Sequence, residues 1–183
     1  MSIQTLLDRR SIRAYDPNYE IPEEILSKIV KAALNSPTAL NRQDVDLVVC
    51  TNREKLQTLA NEVMNSGPET MRERFNERQK KSGVKNPVTY DCPCVIFLVK
   101  NERATDNTPV DGGIVAMSIM IAAKAEGLDS VCLGSVKIGL NEKTESLFEL
   151  KAQDVIVGVG IGKAKPGAEI VDKEIIAKVK YVK

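Results

Sequence analysis

Three arginines and a serine fall within five residues at Arg9-Arg10-Ser11-Ile12-Arg13. Each guanidinium offers a rigid fork of donors that matches phosphate oxygens, and a serine hydroxyl adds a short hydrogen bond. The chemistry on offer is phosphate binding. Taken alone, the same residues also suit a solvated basic turn whose surface ion pairs contribute little. A second polar cluster is Asn35-Ser36-Pro37-Thr38-Ala39-Leu40-Asn41-Arg42-Gln43. Its amides can donate and accept in one plane, as recognition of a flat heteroaromatic ring requires. Ser, Pro and Asn are equally the ordinary choices for a connector. A third segment runs from Gly127 to Ser135, where Gly134 would let backbone approach a ligand closely, or simply serve a tight turn. Gly158-Val159-Gly160 and Gly160-Ile161-Gly162 follow a strand pattern, but no periodic helix comes next. They are not a dinucleotide fingerprint.

Composition narrows the chemistry further. The chain of 183 residues contains no histidine and no tryptophan. Ser-His-Asp and Cys-His catalysis and histidine metal sites are therefore excluded. Any demanding chemical step falls to a cofactor. Cys50, Cys92, Cys94 and Cys132 all sit in or beside apolar runs, and Cys92-Pro93-Cys94 lacks both the spacing and the second pair of a metal site. Buried, reduced thiols are expected, in keeping with a cytoplasmic location. Twenty-six basic and 25 acidic residues leave a net charge of +1, which argues against nucleic-acid binding. No apolar run approaches the length of a membrane span, and Met1-Ser2-Ile3-Gln4 is no signal pattern.

The elements that must position these residues are legible as periodicities. Residues 2–9 read as a short helix with Ile3, Leu6 and Leu7 on one face and Ser2 as cap. Pro22 opens a helix with Ile25, Ile29, Ala32 and Ala33 at helical spacing, and Ser36-Pro37 ends it. Strands are expected at Val45–Cys50, Val95–Val99 and Val155–Ile161, and helices at Glu54–Val63 and Asn141–Phe148. Gly112–Ala125 is apolar nearly all round, which marks a buried helix, with Gly127 as a left-handed cap. Val131–Val136 reads as short and irregular. From about residue 65 to 86 the chain is polar and basic and reads as a mobile, exposed insertion, with a poorly apolar helix over Met71–Lys80. The tail from Ile170 to Val182 alternates apolar and charged residues without a partner in its own chain. The fold class is α+β, as one domain over residues 1–183 with an arm from about 166 to 183.

The order of these features resembles the nitroreductase family of FMN enzymes. The Arg-x-Ser-x-Arg turn precedes a helix ending in Pro37-Thr38-x-x-Asn41-x-Gln43. Cys92-Pro93-Cys94-Val95-Ile96-Phe97 is similar to the family's Ala-Pro-then-strand element. An Asp111-led, Ala-rich helix then runs into Gly127-Leu128-x-Ser130, and a Gly-x-Gly strand closes the match. The resemblance covers nearly the whole chain. It implies an antiparallel sheet flanked by helices in an intertwined homodimer, with two FMN molecules at the interface and tails that wrap the other protomer. It also implies that Arg9, Arg10, Ser11 and Arg13 hold the phosphate and ribityl chain, with Arg9 or Arg13 also reaching the pyrimidine side of the ring. Pro37, Thr38, Ala39, Asn41 and Gln43 of the other protomer would lie against the ring. Leu133, Gly134 and Ser135 would bring backbone near flavin N5, with Lys163 and Lys165 completing the phosphate site.

Three departures from the family pattern stand out. Gln43-Asp44-Val45 replaces Gln-Pro-Trp, a position expected only to pack, and Ser135 stands where a second glycine is common. The stretch from Asn65 to Asn86, which in the family often shapes substrate entry, follows no assignable pattern. The implied activity is hydride transfer from NADH or NADPH through flavin N5 to nitroaromatics, quinones or similar electrophiles, by a ping-pong route. A specialised dehalogenase or ene-reductase is a second enzyme reading. A flavin carrier or redox-responsive protein without fast turnover is the alternative of another class.

Overall fold

The computed structural model describes residues 3–183. Ser2, expected to cap the first helix, lies outside the described residues. The order of elements is α1 (Ile3–Asp8), α2 (Glu23–Leu34), β1 (Val45–Cys50), α3 (Arg53–Ser66), α4 (Glu69–Ser82), β2 (Cys94–Lys100), α5 (Thr108–Ala125), β3 (Asp129–Leu133), α6 (Glu142–Phe148) and β4 (Val155–Gly162). The strands form one antiparallel sheet in the order β1-β2-β4-β3. The expected α+β class and antiparallel sheet are thus observed.

Strand alternation sorts side chains to two faces. Val95 and Phe97 of β2 join one core with α3, α4 and α6, where Phe97 meets Phe148 at 5.1 Å between ring centroids. Cys94, Ile96 and Leu98 join the other core, beneath α2 and α5. Both faces of β2 are covered, which is why its sequence is an unbroken apolar run. The α5 helix, by contrast, is covered on one face only, so the expected all-round burial is not observed. By length and composition it could cross a membrane; it packs on α2, β3 and β4 and buries Val115, Ala116, Ile119, Ala122 and Ala123, while Val110 and Ile114 stay exposed.

Several expectations need adjusting. The α5 helix begins at Thr108, four residues before Gly112, because Pro109 fits its first turn. Val131–Val136 divides into β3 and a 3-10 turn over Gly134–Gly139. Gly127 does adopt the left-handed cap, at φ 76°. Within the 65–86 stretch, α4 is a full helix that buries Met71 and Phe75 in the first core. Two large side chains one turn apart anchor it despite its polar composition. Among the cysteines, Cys50, Cys92 and Cys94 are buried but Cys132 is exposed. Alternation on β3 turns Cys132 away from Val131 and Leu133, which occupy the core.

Candidate functional site

The arginine turn is built on a short extended segment clamped from three sides. Ile12 N–H donates to Ser130 O at 3.2 Å, Tyr15 N–H to Tyr90 O at 3.0 Å, and Asp16 N–H to Lys163 O at 2.9 Å. Lys165 N–H returns a bond to Ala14 O at 2.9 Å. Ile12, Ala14 and Tyr15 are buried, so Ser11 and Arg13 face outward between them. The sequence-distant segments carrying Arg13 and Lys165 are thereby laced together, with Tyr15 and Ala164 bridged directly.

Arg13 and Lys165 line one cavity of about 720 Å³, together with Arg78 and Lys81 of α4. That size is typical of small-molecule sites. Arg13 donates to Ser11 O at 3.4 Å, Arg78 to the Tyr90 hydroxyl at 3.0 Å, and Lys165 to Ser82 O at 3.5 Å. Lys81 pairs with Glu169 at 2.9 Å. Among the described residues, the other three cations have no carboxylate in salt-bridge range. The cavity is therefore strongly electropositive.

Arg9 and Arg10 stand apart from this cavity. Arg10 donates to Leu7 O and to Arg9 O and lies 3.8 Å from Asp172. The Nε atoms of both arginines are buried without a hydrogen-bond partner, as is Ser130 Oγ. Unpartnered buried donors are costly, and a phosphate or ribityl oxygen would satisfy them. Lys163 is also outside the cavity, with Nζ 5.6 Å from the Tyr19 ring. Of the residues expected at the phosphate, Arg13 and Lys165 are brought together and Lys163 is not.

The Pro37–Gln43 loop lines a separate cavity of about 170 Å³ through Thr38 and Gln43. It is held in an unusual conformation, with Leu40, Asn41 and Gln43 at φ 54°, 52° and 51°. Left-handed backbone costs about 1 kcal/mol per non-glycine residue, so the surroundings must impose it. They do so by hydrogen bonds. The buried Asp111 carboxylate accepts Ala39 N–H at 3.0 and 3.2 Å, and Thr38 Oγ1 accepts Gln43 N–H at 2.9 Å. Gln43 O accepts from Asn101 Nδ2 at 3.0 Å and from Arg103 at 2.8 Å. The tip is presented outward, with Leu40 88% exposed.

Asp44 does more than pack. It is fully buried, and the Thr108 hydroxyl at the start of α5 donates to its Oδ2. Its Oδ1 has no partner. A carboxylate here ties the end of the loop to α5 where the family has proline.

Leu133 buries its side chain and can offer a ligand only backbone. Gly134 is exposed, and a Cβ built there meets no atom within 4 Å. The chain itself does not crowd Gly134, which leaves open space in front of the Gly134–Ser135 peptide for a flat ligand.

Burial pushes the Tyr15 hydroxyl well above its ordinary pKa, reinforced by Cys92. Burial also raises Cys92, with Cys94 adding to it, and pushes Cys94 up to about 12. None of these groups is a base or nucleophile near neutral pH, and among the described residues no acidic or cysteine cluster could hold a metal. Sequence reasoning missed Arg78, Lys81, Asp111, Asp44 and Arg103 as site residues. The one signal in the sequence was spacing, since Met71, Phe75 and Arg78 recur at helical intervals on α4.

Comparison with known proteins agrees with this fold. The model of the "Nitroreductase family" matches residues 6–163. A Methanothermobacter thermautotrophicus protein named "Putative NADH dehydrogenase/NAD(P)H nitroreductase" is 37% identical over 136 residues. That match takes in 72% of this chain and 60% of the relative, so the chain spans less than two thirds of the relative's length. A nitroreductase with bound FMN from Desulfitobacterium hafniense superposes with a TM-score of 0.86 at 22% identity, over 100% of both chains. The FMN and NADPH-dependent nitroreductase NfnB from Sphigopyxis sp. gives a TM-score of 0.73 at 18% identity, again over 100% of both. With the family model spanning most of its length and its basic turn, loop and glycine segment in place, the chain belongs to the nitroreductase family.

Proposed function

We propose that this chain is an FMN-dependent oxidoreductase. It passes hydride from NADH or NADPH to nitroaromatic, quinone or similar small electrophilic acceptors by a ping-pong mechanism. The observation that carries the reading is the cationic cavity joining Arg13 to Lys165, on the same turn whose Arg9 and Arg10 Nε atoms are buried without partners. When bound, FMN would supply the hydride-transfer chemistry between donor and acceptor. The protein's part is electrostatic and positional. Arg9, Arg10, Ser11, Arg13 and Lys165 would offset the phosphate and hold the ribityl chain, without Lys163, which lies over the Tyr19 ring. The Gly134–Ser135 backbone approaches the ring from a segment that its own chain leaves open. A single site used in turn by donor and acceptor would give ping-pong kinetics.

The active form is a homodimer with FMN at the interface, each protomer acting as one domain with its arm from about 166 to 183 exchanged. Several exposed apolar groups support this. Val110 and Ile114 lie one turn apart on α5 and are 64% and 37% exposed, and Leu6 and Leu7 of α1 are also open. The tail carries Ile175, Ile176, Val179 and Val182 at 75–85% exposure, far more than a monomer normally leaves in water. β1 ends the sheet with an open edge. In such a dimer, Pro37, Thr38, Ala39, Asn41 and Gln43 of one protomer reach the ring held by the other, which fits their separation from the Arg13 cavity. Four free thiols are consistent with a cytoplasmic protein.

The test is the absorbance spectrum of the purified protein and of an Arg10→Ala, Arg13→Ala double variant. Wild type should release stoichiometric FMN on denaturation and oxidise NADH or NADPH when an acceptor is added. The double variant should remain a dimer by light scattering but lose most of its flavin. A colourless wild type that fails to bind added FMN defeats the proposal. Retention of full FMN by the double variant removes the turn from the site.

A further inference from the structure

The resemblance assigns cofactor contacts to the basic turn, the Pro37–Gln43 loop, the glycine segment and the residues after β4, and none to α4. Yet α4 supplies two of the four cations lining the cavity that holds Arg13 and Lys165. Met71, Phe75, Arg78 and Ser82 follow one another at four-, three- and four-residue intervals, so they share a helix face. The first two are buried in the core. Their anchoring aims Arg78 and Ser82 at the cavity wall, with Lys81 alongside. The C-terminal end of a helix attracts cations through its dipole, which accounts for Lys80 and Lys81. It does not account for Arg78, which sits a turn earlier and is held by the Tyr90 hydroxyl at 3.0 Å. Tyr90 is itself buried and has a left-handed backbone at φ 60°. Arg78 is thus a preorganised cation with no carboxylate in range among the described residues, facing Arg13 and Lys165 across a cavity. The one acid lining that cavity is Glu169, already paired to Lys81.

We infer that Arg78 and Lys81 of α4, with Arg13 and Lys165, bind a negatively charged oxygen-rich group of FMN. This inference rests on the FMN reading above. Two parts of the cofactor have that chemistry: the phosphate dianion, and the N1–C2=O edge of the ring, which becomes negative on reduction. A polar, charge-rich segment that looks like surplus surface is by this account part of the cofactor site.

The experiment is fluorescence titration of flavin-free wild type, Arg78→Gln, Lys81→Gln and Arg78→Lys with FMN and with riboflavin, which lacks the phosphate. It is paired with reduction potentials of the FMN-loaded proteins. Lys80→Gln, an exposed change on the same helix, is the control. If the cations read phosphate, each Gln variant binds FMN about tenfold or more weakly while riboflavin binding is unchanged, because a charge-assisted bond is lost. If they read the ring edge, oxidised FMN binds as before, but the reduced form is held about tenfold less tightly. That difference lowers the two-electron potential by about 30 mV. Arg78→Lys keeps the charge and should restore most of either effect. Lys81→Gln touches no buried contact, so it tests the inference even if Arg78→Gln misfolds. The inference is overturned if wild type binds FMN and the variants match it in all three readouts, or if FMN and riboflavin weaken equally at unchanged potential. A wild type that binds no FMN fails the cofactor reading itself, and the inference falls with it.

Discussion

Replacing Thr108 by valine removes one hydroxyl without changing side-chain size, and the structure makes the consequence large. Thr108 is fully buried, donates to Asp44 Oδ2 and accepts Thr105 N–H at 2.7 Å. Asp44 is also fully buried, and its other oxygen already lacks a partner. In Thr108→Val the carboxylate would therefore have no hydrogen-bond donor, and the Thr105 amide would lose its acceptor. Removing the donor of a hydrogen bond to a buried carboxylate costs about 1–3 kcal/mol, the upper end applying to a charged acceptor. With the Thr105 amide also losing its acceptor, the cost should be about 3 kcal/mol. At about 2–4 °C per kcal/mol for a chain of this size, Tm should fall by about 6–12 °C. The assay is urea unfolding of Thr108→Val, Asp44→Val and the double variant. Replacing both partners by apolar groups removes the unsatisfied charge along with its donor. The double variant should then be more stable than Thr108→Val alone, with a coupling energy of about 2 kcal/mol. Because Asp44 follows Gln43, the single variant should also release the Pro37–Gln43 loop, seen as faster exchange of the Gln43 amide that Thr38 Oγ1 holds. A cost below about 1 kcal/mol, or singles that simply add, would refute the reasoning.

Two further outcomes are expected. A Cβ at Gly139 would lie 2.8 Å from both Leu59 O and Val63 N, backbone atoms of α3 that cannot swing aside. Gly139→Ala should therefore cost about 1–3 kcal/mol in chemical denaturation and shift the turn carrying Gly134 and Ser135; an unchanged midpoint would show that the two backbones are not in close contact. Stability should also fall above pH 9. Burial raises the Cys94 thiol from its ordinary 9.0 to about 12, so between those values the unfolded chain releases a proton that the folded chain keeps. The contribution is complete below pH 9 and is lost progressively toward 12. Cys94→Ala should flatten the slope of unfolding free energy against pH in that window, and an identical slope would mean that the thiol is not buried in solution.

Much of the architecture was written locally. The unbroken apolar run at β2 and the Gly127 cap of α5 are consequences of burial and backbone sterics, which act residue by residue. The Arg9–Arg13 turn, the Pro37–Gln43 loop and the glycine segment were identifiable as polar or permissive chain in a particular order. The helix at α4 was harder to judge, because its two anchors, Met71 and Phe75, are outnumbered by charges, and average polarity hides a two-residue seam.

Relations across the chain could not be read this way. The lacing of residues 14–16 to 163–165 joins Arg13 to Lys165, and only strand pairing over some 150 positions brings them to one cavity. The same holds for Asp111 accepting the Ala39 amide and for Thr108 reaching Asp44, long-range bonds between residues with no shared local pattern. Local sequence sets what a segment prefers to be, through sterics and the burial of apolar surface. Which charge faces which depends on how the cores close, and hydrogen bonds and cavities follow from that packing.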